Sequence, residues 1–516
     1  MRGLCPGPLD EGSVLAGPQS GARYYRERPR LLKRKKPRKP KELNPPDASV
    51  ATPRATPRII PRSEHSISRS HISPNALRVL YRLREAGFMA FLVGGCVRDL
   101  LLGLDPKDFD VATDALPEEV KKLFRNCRLV GRRFRLAHVF FGRETIEVAT
   151  FRATGAPAQG EEPLPEADPE DGEAPELEPE EDNTARAFDA SGRILRDNVY
   201  GTIDEDVWRR DFTANALYYN IADFSIWDYV GGVEDIAARR LRLIGDPETR
   251  YREDPVRMLR AARFEAKLGF AIDPDTARPI ATLRELLSAV PPARLFDETL
   301  KLFLTGHGAR SFEVLRRRGL LAALMPSVDS WFVSHPGSLV ERLLVKGLAN
   351  TDGRVLEDKP VTPTFLFALL LYGPIAAIIE ATPPERWHEL GTILDACDQA
   401  VREAQTHIAI PKRFALGVRE MFALQPRLEH PRGRRALRVL EHPRFRAGYD
   451  LLLLRAEFGL APPEMAAWWT KLQEVSPEER ERMTDALAGE DSGRGAPAAR
   501  RGGRRRRRRP RAAVRT

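Results

Sequence analysis

Leu92-Val93-Gly94-Gly95-Cys96-Val97-Arg98-Asp99-Leu100, followed by Lys107-Asp108-Phe109-Asp110, is the stretch that decides the fold. A short apolar strand, Phe88 to Val93, runs into a double glycine and then into a helix, Val97 to Leu102, which Gly103 stops. Gly94 and Gly95 let the backbone turn sharply and come close to a ligand. The helix that follows offers free N–H groups and the positive end of its dipole to phosphate. Phe109 to Ala112 reads as a second strand. Side chains alternate along a strand, so Asp108 and Asp110 leave on one face while Phe109 enters the core. Two carboxylates held that way can share hard divalent cations such as Mg²⁺. Two such ions can activate an attacking hydroxyl and stabilise the leaving oxygen of a displaced phosphate. A double glycine before a helix is often only a turn, and Asp-x-Asp on a strand is often only a solvated face. It is their order and closeness that make the pair informative.

Outward from this stretch, Ser73-Pro74 reads as a helix start, with Ala76, Leu77, Leu80 and Leu83 at helical spacing and Gly87 as the stop. Order is expected to begin near Ile72. Pro117 to Phe124 reads as a helix. Leu129-Val130, Ala137 to Phe141 and Thr145 to Thr150 alternate like strands. Together these predict a mixed sheet with helices packed on it. Glu147, in Ile146-Glu147-Val148, either points into the cleft with the aspartates or lies on a solvated face. From Asp204 onward helices dominate, apart from a strand–turn–strand expected around Ile226 to Val233. Residues 254–490 hold repeated Leu/Ala-rich helical segments. The longest apolar run, Phe365 to Ile379, is broken by Gly373-Pro374 and is too short to span a bilayer, so it reads as buried helix.

Charge is distributed very unevenly. Residues 1–70 carry 16 Lys/Arg against 6 Asp/Glu, and residues 491–516 carry 11 Arg against one Asp. Residues 155–183 carry 12 carboxylates and no Lys or Arg. The net charge of +10 therefore hides a near-neutral body with two basic, disordered tails and one acidic insertion. Basic tails suit a polyanionic partner such as RNA, although a solvated tail is the plainer reading. The four cysteines form no CxxC pair, which argues against a zinc site or disulfide framework and fits a reducing cytosol. No signal peptide is apparent, so a cytoplasmic protein with no membrane attachment is expected.

The run GGCVRDLLLGLDPKDFDVAT resembles the head motif of the class II nucleotidyltransferases, which include bacterial poly(A) polymerases and CCA-adding enzymes. Arg209-Arg210-Asp211-Phe212-Thr213-Ala214-Asn215-Ala216 is similar to the family's RRDFTxNA motif. Glu253-Asp254-Pro255-Val256-Arg257-Met258-Leu259-Arg260-Ala261 is similar to its EDPxRxLRA motif. The resemblance covers roughly residues 65–490. It implies a third functional carboxylate, Asp211, beside Asp108 and Asp110. It also implies nucleotide contacts from Gly94, Gly95, Arg98, Arg209, Asn215 and Arg260, and base reading by Asp254 and Arg257. Read locally, Asp254 before Pro255 is a helix N-cap. Arg257, Arg260 and Arg263 share one face of that helix, and Leu259, Ala262 and Ala266 another.

Leu129 to Val139 is similar to a stretch characteristic of the poly(A) polymerase branch. There Leu129, Val130, Phe134, Leu136 and Val139 are expected in the core and Arg132, Arg133 and Arg135 toward phosphate, with His138 packed. The Arg-rich end and the segments around Ile408 to Phe414 and Glu441 to Tyr449 resemble the same branch. No His is followed by Asp, so the HD phosphohydrolase module of some CCA-adding enzymes is absent.

The expected architecture is an α+β nucleotidyltransferase head of mixed sheet and flanking helices, followed by an all-α neck, body and leg. The expected divisions are a disordered extension 1–70, a head 71–218, a neck 219–285 that recognises the base, an RNA-binding body 286–430, a leg 431–490 and a tail 491–516. ATP would bind between head and neck, and an RNA 3′-hydroxyl would attack its α-phosphorus with two Mg²⁺ held at Asp108 and Asp110. RNA 3′ ends and ATP are the expected partners, and an RNA chaperone or degradation machinery remains open as a partner of the tails. The alternatives are a CCA-adding tRNA nucleotidyltransferase and a catalytically silent RNA-binding adaptor.

Overall fold

A computed structural model of the chain describes residues 56–131, 135–153, 186–188, 194–197 and 199–493. The extension as far as residue 55, Arg132, Arg133, Phe134, the acidic insertion and the tail from residue 494 lie outside the described residues.

The head is built on strands β1 (Arg58–Ile60), β2 (Ala90–Val93), β3 (Asp110–Thr113), β4 (Cys127–Val130), β5 (Leu136–Phe141) and β6 (Glu144–Thr150). A separate hairpin of β7 (Arg186–Phe188) and β8 (Ile194–Asp197) follows, and β9 (Leu217–Asn220) and β10 (Ile226–Asp228) then return to the main sheet. Its strand order is β1-β10-β9-β2-β3-β6-β5-β4. Only β3 and β6 run parallel; the other neighbours are antiparallel. β2 is buried on both faces, which explains its unbroken apolar run. Ala90 and Leu92 pack with Val79, Leu80 and Leu83 of helix α1 (Pro74–Glu85). Phe91 and Val93 pack on the opposite side with Phe151 and Tyr218. α1 starts where expected: the Ser73 hydroxyl accepts from the N–H groups of Asn75 and Ala76, and Pro74 supplies a preset first turn.

Four expectations for the head need correction. Residues 56–70 belong to the fold: β1 pairs with β10, and Ile60 and Ile67 are only 3% and 1% exposed. The sheet also runs past residue 218, through β10, so the head boundary lies later than expected. No second strand follows β10 within residues 226–233; the next strand, Arg240–Leu241, pairs outside the main sheet with Ala271–Ile272. The Asp228 carboxylate instead accepts from the N–H groups of Val230, Gly231, Gly232 and Val233 and leads the chain into helix α5 (Gly232–Ala237). Finally, β4 is an edge strand, so its Val130 is 44% exposed and its Leu129 half-buried; Leu136 at the start of β5 is half-buried too, and of the described expected core positions only Val139 is fully enclosed.

Two short helices flank the sequence motifs of the head: α2 (Gly95–Leu101) and, after α3 (Pro117–Leu123), α4 (Ile203–Arg209). Beyond α5 come α6 (Pro247–Glu253) and α7 (Val256–Leu268), then the brief α8 (Pro274–Ala277) and α9 (Ile280–Leu283), and then α10 (Pro292–Phe303) and α11 (Gly308–Arg317). Leu259, Ala262 and Ala266 of α7 are buried as their spacing predicts. Longer helices, among them Leu339–Leu356, Leu390–Gln405, Lys412–Glu429 and Phe445–Glu457, complete the helical part. The apolar run becomes two helices, Pro363–Leu370 and Tyr372–Glu380, bent by 47° at their junction. Its residues Leu366 to Leu371 are core. Gly373 permits that packing, because a Cβ there would lie 2.5 Å from the Trp331 indole. Among the described residues no single helix is long and apolar enough to cross a membrane.

Candidate active site

The double-glycine turn sits at the centre of the site. Gly94 adopts φ +76°, a conformation that side chains disfavour, and so turns the end of β2 into α2. A Cβ at Gly94 would stand 3.7 Å from the Arg210 guanidinium and 3.9 Å from an Asp110 carboxylate oxygen. The turn therefore lies directly against the first residue of β3.

β3 begins at Asp110, so Asp108 lies in the segment leading into the strand rather than on it. Phe109 between them is buried as expected. Strand register supplies a third carboxylate: Asp110 is paired with Glu147 on the parallel strand β6. Ile146 and Val148 point into the core, so Glu147 leaves on the same face as Asp110. Lys107, Asp108, Asp110, Arg143, Thr145 and Glu147 line a cleft of about 720 Å³. Burial, then the charges of Glu147 and Asp108, push the Asp110 carboxyl up to about 6, against the opposing pull of Arg210. His138 on β5 is half-buried and lies 3.6 Å from Glu147.

Asp211 stands in a second constellation and does not line this cleft. It accepts hydrogen bonds from Arg260, from the Phe212 N–H at 2.7 Å and from the Asn215 amide at 3.4 Å. Burial alone would raise its carboxyl; Arg260 and these donors hold it at about 2 instead. Asn215 in turn accepts from Arg98 through its side-chain oxygen, and Arg98 also pairs with Asp99 at 2.7 Å. Arg98, Asn215, Asp211 and Arg260 thus form one chain of contacts between head and α7. The Arg98, Arg260 and Arg263 guanidinium groups also stand over the Phe264 ring.

Asp254 does not cap α7, which is another correction. Its two oxygens accept from Arg294 of α10 at 2.8 and 2.7 Å. Arg257 is 7% exposed and donates to the Arg250 carbonyl at 2.6 Å and to Glu253 at 3.0 Å. Arg250 donates to the carbonyls of Arg209 and Arg210, which ties α6 to the end of α4. Arg135 pairs with Glu118 at 2.9 Å instead of standing free for phosphate.

Among the described residues, no group of three or more His, Cys, Asp or Glu is arranged to hold a metal ion. A pair of carboxylates is nevertheless a normal protein contribution for Mg²⁺, which keeps waters and substrate phosphates as its other ligands. The surplus negative charge around Asp110 fits such a cation.

Three family profiles match the chain: "Poly A polymerase head domain" over residues 90–242, "Probable RNA and SrmB- binding site of polymerase A" over 269–332, and "Polymerase A arginine-rich C-terminus" over 385–512. A poly(A) polymerase I of Salmonella typhi is 46% identical over 452 residues, spanning 87% of this chain and 92% of that protein. The chain belongs to the bacterial poly(A) polymerase family. A CCA-adding enzyme of Lactobacillus helveticus is more distant, 35% identical over 46% of this chain and 52% of its own length. The solved structure of a tRNA-processing enzyme in an apo form superposes with a TM-score of 0.52, covering 82% of this chain and 98% of that one at 20% identity. That likeness concerns the fold.

The polymerase therefore has its expected head and helical remainder. Sequence reasoning missed Arg294, Glu253, Arg250 and the strut of Asp206, Arg210 and Tyr218 behind the turn. In that strut the Tyr218 hydroxyl accepts from Arg210 at 2.8 Å and donates to Asp206 at 2.7 Å. Arg210 and Glu253 sit inside the quoted motifs, so adjacency pointed to them. Arg294 lies 40 residues from its partner with no local signal.

Proposed function

We propose that this polymerase adds AMP from ATP to RNA 3′ ends at the cleft of Asp108, Asp110 and Glu147, without a template and with release of pyrophosphate. One observation carries the residue assignment: Asp110 lies against the Gly94 turn and in register with Glu147, with its carboxyl pushed up to about 6. Such crowding of carboxylates is relieved by a divalent cation. Asp108 and Asp110 would hold it, with two Mg²⁺ as the finer reading. When bound, the ions would supply charge neutralisation at the transferring phosphate and acidify the attacking hydroxyl.

The chain's own groups bind and orient. The Gly94-Gly95 turn, Arg98 and Arg209 receive the triphosphate. Asp211 acts as a positioning residue that aims Arg260 and, through Asn215, Arg98. The bond that forms joins the RNA 3′-oxygen to the α-phosphorus, and the bond that breaks frees pyrophosphate. Asp254 and Arg257 read the adenine edge, a carboxylate accepting from the exocyclic amine and a guanidinium donating to ring nitrogen. Each is braced, Asp254 by Arg294 and Arg257 by Glu253. RNA and ATP are the proposed partners, and the cytoplasm is the proposed location, supported by the unpaired Cys96, Cys127 and Cys397.

Incubation with Mg²⁺, a plain oligoribonucleotide and each NTP in turn tests this reading. A long adenylate tail with ATP and poor use of CTP is expected. Extension confined to tRNA and ending after CCA would overturn it in favour of the CCA-adding activity.

A further inference from the structure

Most cations of the neck have carboxylate partners, such as Glu253 for Arg257 and Asp211 for Arg260, and Arg294 of α10 has Asp254. Beside the cleft this pattern stops. Lys107 of the head lines the cleft next to Asp108. Lys267 stands in the last turn of α7, which ends at Gly269. Across from it, the Arg310 guanidinium of α11 comes within 3.3 Å of where a Cβ on Gly269 would stand. His307 immediately precedes α11. Among the described residues, no carboxylate stands within 4.0 Å of Lys107, Lys267, His307 or Arg310.

Lys107, Lys267 and Arg310 are cations, and their charges meet at His307, which is a neutral hydrogen-bonding group at neutral pH. The Lys267 ammonium is lowered by burial first, and by Arg98, Arg263 and Lys107. The His307 imidazole is lowered by burial, then by Lys267, Arg310 and Lys107. The carboxylates that oppose these effects are already committed. Asp99 pairs with Arg98, and Asp352 accepts the N–H groups of Gly308 and Ala309 at 2.6 and 3.0 Å. Lys107, Lys267 and Arg310, from head, neck and body and with no paired carboxylate among the described residues, form a group of cations beside a phosphoryl-transfer cleft that is incomplete without an anion.

We propose that Lys107, Lys267, His307 and Arg310 form a phosphodiester-binding rim that seats the RNA backbone as the strand enters the cleft. This rests on the reading of RNA as the acceptor substrate. A strand extends beyond the cleft and can meet cations from three regions at once, whereas the triphosphate side is already served by Arg98 and Arg209. Lys107 and Lys267 lie outside the stretch matched as an RNA-binding region.

The test compares the full chain with Lys267→Gln, Arg310→Gln and the double variant. Binding of a labelled oligouridylate is measured at several salt concentrations, alongside steady-state kinetics. Each single-strand phosphate contact contributes about 0.7 to the salt slope, so the double variant should lose about 1.4. KM for RNA should rise, with kcat at saturating RNA and KM for ATP unchanged, and Lys267→Arg should keep the wild-type slope. The single variants decide the matter if the double variant melts early. Unchanged slopes and KM for RNA overturn the proposal, as does a rise confined to KM for ATP, which would assign the rim to the triphosphate. Failure of the polymerase reading would look different: the unaltered chain would incorporate no AMP, while the binding measurement would still decide the rim.

Discussion

An aspartate that keeps its proton to about pH 6 makes the metal-free fold pay for ionising it. Because the folded value lies above the unfolded one, the Asp110 contribution to stability is fully present below about pH 4, is lost as pH rises toward 6 and stays lost above. Metal-free Asp110→Asn should therefore melt above the unaltered protein at pH 8, by at most about 3 kcal/mol of stability, and the difference should vanish below pH 4. The same variant should lose about 10²–10³-fold or more in rate, the scale of losing one electrostatic stabiliser of the transition state. Thermal melts in chelator across pH, with a single-turnover assay, check both halves. Asp211 shows the opposite sign. Its carboxyl is held at about 2, so its contribution is present above the unfolded value and is lost as pH falls toward 2. Breaking its buried pair by Asp211→Ala or Arg260→Ala should cost about 3–5 kcal/mol each. The two losses should be strongly non-additive in urea unfolding at neutral pH, and additivity would remove the pair's structural role.

At the level of elements, β1 makes a sharp prediction. A chain starting at residue 56 keeps β1 and should melt like the full chain. A chain starting at residue 63 loses the β1–β10 pairing and buried Ile60, and should be less stable by roughly 2–4 kcal/mol, from a lost core side chain and three strand residues. Equal melting of the two truncations would mean that β1 contributes nothing. This strand was not legible beforehand. It is three residues long, lies in a basic, proline-rich segment, and pairs with residues more than 160 positions away. The units that were legible carry local punctuation: Ser73-Pro74 before α1, Gly94-Gly95 between β2 and α2, Pro117 at the start of α3. The site divides the same way. That Asp108 and Asp110 line one cleft could be read because motif and spacing are local. The commitment of Asp254 to Arg294 could not, because it depends on how α10 packs beside α7.

At the scale of the molecule, charge is the organising quantity. The near-neutral body ties its parts with specific pairs, such as buried Glu265 of α7 accepting from Arg317 and Arg318. The arginines of residues 491–516 have a different use, since six stand consecutively at 504–509 with no apolar neighbour to anchor them. If roughly four of them meet phosphates together, removing residues 491–516 should flatten the dependence of log affinity on log salt by about 3. KM for RNA should rise at low salt while kcat at saturation stays unchanged. Salt titrations with and without the segment check this, and parallel lines would assign the arginines to another partner.

The chain leaves and re-enters the head around the acidic segment at a single closed point. Arg152 lies opposite Tyr200, the Ala153 N–H donates to the Val199 carbonyl at 2.9 Å, and the Gly201 N–H donates to the Phe151 carbonyl at 2.9 Å. Gly201 is required there, because a Cβ would come within 2.6 Å of Ala153. With its ends fastened, the length of chain between them matters little, since doubling a loop costs only about 0.6 kcal/mol. Deleting residues 158–180 should leave the melting temperature nearly unchanged, and a large drop in a thermal scan would count against this closure. The same fastening makes the position a socket: a fluorescent reporter whose own termini lie close together could be spliced in here, and tail synthesis followed by light from an enzyme that still works.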